Sequence, residues 1–84
     1  MWTINVDKSV DKRLKKIPEP DRSRINQAID DLEVKPETLD IKPLVGREGY
    51  RLRIRGWRLL IDIDEVEKTI FVYTLSSRGD VYKK

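Results

Sequence analysis

Eighty-four residues provide one small domain, residues 1–84, in which 38% apolar and 39% charged residues imply a small core under a highly charged surface. The absence of cysteine excludes disulfides and thiolate metal sites, and the absence of histidine removes the usual neutral-pH acid and base. The net charge of +3 is concentrated in one place: residues 47–58 hold five arginines against Glu48 alone.

Trp2, Ile4 and Val6 alternate with polar residues, so residues 2–6 read as a strand. Nothing before or within this segment resembles a signal peptide or membrane span, which makes the cytoplasm the expected location. Asp7 or Ser9 can cap a short helix over about 8–16, with Val10, Leu14 and Ile17 as its apolar face. Ile17-Pro18-Glu19-Pro20 ends it, because a residue before proline avoids the helical region. Pro20 suits the start of a second helix, whose stripe is Ile25, Ala28, Ile29 and Leu32. Lys35-Pro36 stops that helix near Val34.

Residues 35–48 read as an irregular connector with Pro36, Pro43 and Gly46. Three strand signals follow, at about 49–55, 57–64 and 69–75. The run Ile70 to Leu75 reads as buried on both faces and therefore central. Asp64 to Lys68 is a hairpin loop. The order β-α-α-β-β-β predicts an α+β domain, an antiparallel sheet packed by a two-helix hairpin.

In Tyr50-Arg51-Leu52-Arg53-Ile54-Arg55, a strand sends the apolar side chains one way and the arginines the other. If Arg55-Gly56 is a two-residue loop, Ile54 pairs with Trp57, Arg53 with Arg58, Leu52 with Leu59 and Tyr50 with Ile61. All the apolar residues then share the core face, while Arg51, Arg53 and Arg58 share the other with Leu60 and Asp62. A three-residue loop would mix the faces, which a buried face forbids. A type I′ turn would place Arg55 at positive φ. Arg53 opposite Arg58 is a destabilising like-charge pair, so this face either binds an anion or is neutralised by carboxylates such as Glu48 or Asp62.

Leu44-Val45-Gly46, Gly49-Tyr50-Arg51-Leu52-Arg53, Gly56-Trp57-Arg58-Leu59-Leu60 and Arg78-Gly79-Asp80-Val81-Tyr82, in this order, resemble the RelE/ParE superfamily of toxin–antitoxin toxins. Pro20, Arg24 and the stripe through Leu32 fit its second helix. The resemblance implies a small antiparallel sheet flanked by a helical hairpin, and a cognate antitoxin protein that wraps the toxin. Its RelE branch cleaves mRNA in the ribosomal A site, and its ParE branch poisons DNA gyrase. By resemblance Arg51, Arg53, Arg58, Arg78 and Tyr82 are the catalytic candidates. Arg51 and Arg53 stand where well-studied RelE members have lysines, and an arginine does not readily give up its proton.

Cleavage by the 2′-OH needs a proton acceptor, stabilisation of a phosphorane and a proton for the leaving oxygen. Guanidinium groups suit the second task. Arg58 and Arg78 are expected to clamp the scissile phosphate, and Arg47, Arg51, Arg53, Arg55 and Arg58 to bind RNA. Tyr82 can orient or activate the 2′-OH, stack on a base, or pack as a tail aromatic. Glu48 is the nearest carboxylate that can act as base. No metal or cofactor is expected, and the expected partners are the ribosome, mRNA and an antitoxin. The alternatives are a ParE-like gyrase inhibitor and a non-catalytic RNA-binding domain.

Overall fold

The hairpin that carries the arginines adopts the register set by its apolar alternation. In the computed structural model, which describes residues 1–77, strands β3 (Tyr50–Ile54) and β4 (Trp57–Asp64) pair antiparallel around a loop of Arg55 and Gly56. Ile54 faces Trp57, Arg53 faces Arg58, Leu52 faces Leu59 and Tyr50 faces Ile61. Arg55 takes φ 53°, the left-handed conformation expected of it.

Before this hairpin come β1 (Thr3–Val6), α1 (Lys8–Lys15), α2 (Asp21–Val34), a 3₁₀ turn (Pro36–Thr38) and β2 (Asp40–Pro43). After it comes β5 (Thr69–Ser77). The five strands are ordered β1-β5-β4-β3-β2. Pairing is antiparallel from β2 to β5, but β1 lies parallel to β5, so the sheet is mixed rather than wholly antiparallel. A parallel pair requires a long connection, and the one between β1 and β5 holds both helices and the other three strands. The segment expected to be irregular supplies β2: Leu39-Asp40-Ile41-Lys42 alternates, and Ile41 sits opposite Leu52.

Asp7 caps α1, its carboxylate accepting from the Ser9 amide at 3.0 Å and hydroxyl at 2.6 Å. Val10 and Leu14 are buried along that helix, and Ile17 just beyond it. Lys12, Arg13 and Lys15 fill its last turn, where positive charge complements the helix dipole. Pro20 is the residue before α2. Glu19 does the capping there, accepting from the Ser23 amide at 3.0 Å. Ile25, Ala28 and Leu32 face inward, and Ile29 is partly buried.

These side chains form one cluster with Leu52, Leu59, Ile61, Ile70, Val72 and Leu75 from the sheet. Each such burial contributes about 1.5–3 kcal/mol. Both helices therefore cover one face, and the other stays free of them. Trp57 ties the arginine hairpin to the helices, donating from Nε1 to Asp21 Oδ2 at 3.0 Å with the Arg13 guanidinium 5.8 Å from its ring.

Strand β5 has neighbours on both sides, as expected of an inner strand, but it is not buried on both faces. Phe71 is 40% exposed between buried Ile70 and Val72. A bulge opposite Leu60 and Ile61 then shifts the alternation, so the next buried residue is Leu75, and Tyr73 and Thr74 both turn to the open face. An apolar run is thus divided between core and surface.

Candidate nucleic-acid interface

The open face can be followed row by row from the strand register. One row runs Asp40, Arg53, Arg58, Ser76, and the next runs Lys42, Arg51, Leu60, Thr74. A third holds Asp62, Phe71 and Asn5. Directly opposed residues are about 5 Å apart and successive rows about 7 Å apart. Arg51, Arg53 and Arg58 are therefore within one side-chain length of each other, with Lys42 adding a fourth cation at the β2 edge.

This charge is not neutralised internally. Among the described residues, Arg51, Arg53, Arg55 and Arg58 form no ion pair. Asp40 lies opposite Arg53 in the register, yet the two are not bridged. Glu48 and Asp62, the carboxylates offered by the sequence as neutralising partners, are not bridged to these arginines either. The Nη1 atom of Arg51 is enclosed and has no hydrogen-bond partner among the described residues. A buried donor on a charged group without an acceptor is costly, and a phosphate or carboxylate oxygen would relieve it.

Arg55 sits at the exposed hairpin tip and Arg47 in the loop between β2 and β3. Arg47 leans over the open face, its Nη2 donating to Tyr73 Oη at 3.4 Å. That loop borders a cleft of about 470 Å³ lined by Pro43, Arg47, Glu48, Gly49, Tyr50, Asp62 and Ile63. Gly49 has φ 109°, and a Cβ there would come within 3.0 Å of Asp62 Oδ1. Glu48, the candidate base, thus lies with Asp62 and Arg47 in this cleft, which the Arg53–Arg58 pair does not line. Arg78 and Tyr82 fall outside the described residues.

Sequence reasoning missed Asp40 and Lys42, which flank the arginines, because β2 was not recognised. It also missed Tyr73, which alternates onto the open face beside Phe71. The alternation of residues 39–42 was the available signal for the first two. Among the described residues no group of three or more acidic side chains is placed to hold a metal ion.

This β-αα-ββββ arrangement, with a helical hairpin on one sheet face, matches the fold of solved RelE toxins. The chain aligns with the RelB–RelE antitoxin–toxin complex of Methanococcus jannaschii at 26% identity and TM-score 0.76, over 94% of this chain and 95% of that one. The RelBE2 toxin–antitoxin complex of Mycobacterium tuberculosis aligns at 25% identity and TM-score 0.76, over 92% and 98%. The archaeal RelE–RelB complex of Pyrococcus horikoshii gives 24% identity and TM-score 0.75, over 93% and 96%. No curated protein sequence matches significantly. The family model for the ParE toxin of the type II toxin–antitoxin system parDE matches residues 4–82, and the chain belongs to that family within the RelE/ParE superfamily.

Proposed function

We propose that this type II toxin is a metal-independent endoribonuclease that cleaves mRNA on the ribosome and is silenced by a cognate antitoxin. The observation that carries the reading is the set of Arg51, Arg53 and Arg58 on one open face, without ion pairs among the described residues. Arg53 and Arg58 are close enough to hold one phosphate between them, stabilising charge that grows in the phosphorane. Arg51 supplies an unfilled donor from the neighbouring row. Arg78 and Tyr82 are assigned to the phosphate clamp and the 2′-OH from the sequence resemblance alone. Permanently protonated arginines favour binding over proton removal. Glu48 is retained as the candidate base. The ribosome would then contribute by positioning the substrate. An antitoxin partner is supported by neighbours solved as toxin–antitoxin complexes.

The decisive assay is cell-free translation with mRNA cleavage mapped by primer extension. Wild-type protein is expected to cut mRNA on translating ribosomes, and Arg58→Ala to lower the rate by about 10²-fold or more. Equal cutting by Arg58→Ala would remove Arg58 from the clamp. The match to the ParE family favours a second reading, inhibition of DNA gyrase without catalysis. Accumulation of gyrase cleavage complexes with intact mRNA would select it.

A further inference from the structure

We propose that Phe71 and Tyr73 form a base-stacking platform for single-stranded RNA, alongside the arginines that hold its phosphates. The inference rests on the RNA reading above and adds residues that neither the sequence motifs nor the arginine register identified. Phe71 is on an inner strand, where its immediate neighbours Ile70 and Val72 are buried, yet it remains 40% exposed on the open face. A strand face built only for solvent would carry Thr or a charged residue at this position. Tyr73, two residues along the strand from Phe71, shares its face by simple alternation, and Arg47 reaches across to its hydroxyl. Two aromatic rings therefore stand beside a basic surface, with Leu60 between them and Arg51 in the strand order.

The spacing suits one nucleotide. Tyr73 on β5 is two strand spacings from Arg51 on β3, about 10 Å. A phosphate held at the arginines leaves its base over the β5 side. Bare phosphate binding needs no aromatic surface, whereas single-stranded nucleic acids are commonly held by a basic track combined with aromatic stacking. The charge selects an anionic occupant: Lys42, Arg47, Arg51, Arg53 and Arg58 line the face with Asp40, Asp62 and Asp64 as its strand carboxylates, and Arg51 Nη1 lacks an acceptor among the described residues. Arg47 over Tyr73 also brings a cation to the aromatic end.

Fluorescence anisotropy with a short heteropolymeric single-stranded RNA, and with an abasic oligonucleotide carrying the same number of phosphates, tests the platform. Phe71→Leu and Tyr73→Leu are expected to weaken RNA binding by at least about 5-fold each without changing the log–log salt slope. Binding of the abasic strand should stay within about twofold, because it offers phosphates but no bases. Tyr73→Phe, which keeps the ring, should retain affinity. Thermal melts establish that each variant is folded. Equal effects on both strands, or none on RNA, would overturn the platform while a steep salt dependence in the wild type keeps the RNA reading intact. A wild type that binds neither strand overturns both. Variants that lose only an acidic antitoxin peptide assign the aromatic face to a protein partner and overturn the proposal.

Discussion

Two arginines carry local costs of different kinds. Arg55 holds φ 53°, which costs a side-chain-bearing residue about 1 kcal/mol, since Cβ crowds the backbone there. Arg55→Gly is expected to raise the urea midpoint by the equivalent of at most about 0.5 kcal/mol, after subtracting the extra chain entropy glycine brings to the unfolded state. Arg51 is a different case, because its enclosed Nη1 lacks an acceptor. Arg51→Met keeps the aliphatic stem and removes the unfilled donor. It should increase stability by about 1 kcal/mol while weakening RNA binding, measured by urea denaturation and anisotropy on one sample. Opposite signs in the two assays mark a group retained for its ligand rather than for the fold. Gly49 has the reverse constraint. Gly49→Ala must adopt φ 109° with Cβ 3.0 Å from Asp62 Oδ1, so a loss of about 1–3 kcal/mol is expected in thermal unfolding.

Among the elements, helix α1 and the hairpin β3–β4 were readable because each carries one uninterrupted period. Val10, Leu14 and Ile17 follow a helical stripe, and Tyr50, Leu52 and Ile54 alternate without a break. The register followed because only one loop length keeps all the apolar residues on one side. Strand β2 was harder, since Asp40–Pro43 is short, sits at an edge and is bounded by prolines that suggest a connector. The Ile70–Leu75 run misled for another reason. A bulge changes which parity faces inward, and an apolar Phe71 gives no sign that it points outward. The parallel placement of β1 is also absent from local pattern, because it depends on the path of the helices.

The helix starts have a consequence for acid stability. The Ser9 hydroxyl and amide hold Asp7 below the ordinary carboxyl range, and the Ser23 hydroxyl and amide do the same for Glu19. A carboxyl whose folded value is depressed contributes stability above its unfolded value and loses it as pH falls through the folded one. Both groups are exposed, so the effect is modest. The drop in urea midpoint from pH 7 to pH 3 should be smaller in an Asp7→Asn, Glu19→Gln double variant than in the wild type.

At the scale of the whole molecule, the helices cover one sheet face, and the face proposed to bind RNA is the other. One face buries Leu52, Leu59 and Ile61 completely, and the other keeps like charges opposed. Leu59→Ala should cost about 2–5 kcal/mol, a large share of the stability of a small domain. Binding to single-stranded RNA through about four phosphate contacts should give a log–log salt slope of roughly −3, read by anisotropy across a salt series. Within that face the sequence disclosed the arginines and their common side, because charge and alternation are both local. The neighbours Asp40, Lys42 and Tyr73 required the tertiary pairing, and the roles of Arg78 and Tyr82 rest on the family motif.

The parallel contact between β1 and β5 also orders events in time. Thr3 is matched with Thr69 and Val6 with Val72, so β1 has no partner until both helices and the three intervening strands have been made. The consecutive strands β3, β4 and β5 can zip together through short loops, but β1 must close a long one, and such pairings form late. Until it does, one edge of β5 is an open template for any extended segment nearby. The topology therefore predicts that the arginine hairpin forms before the sheet is complete, an order that pulse-labelling hydrogen exchange would read as earlier protection of β3 and β4 than of β1.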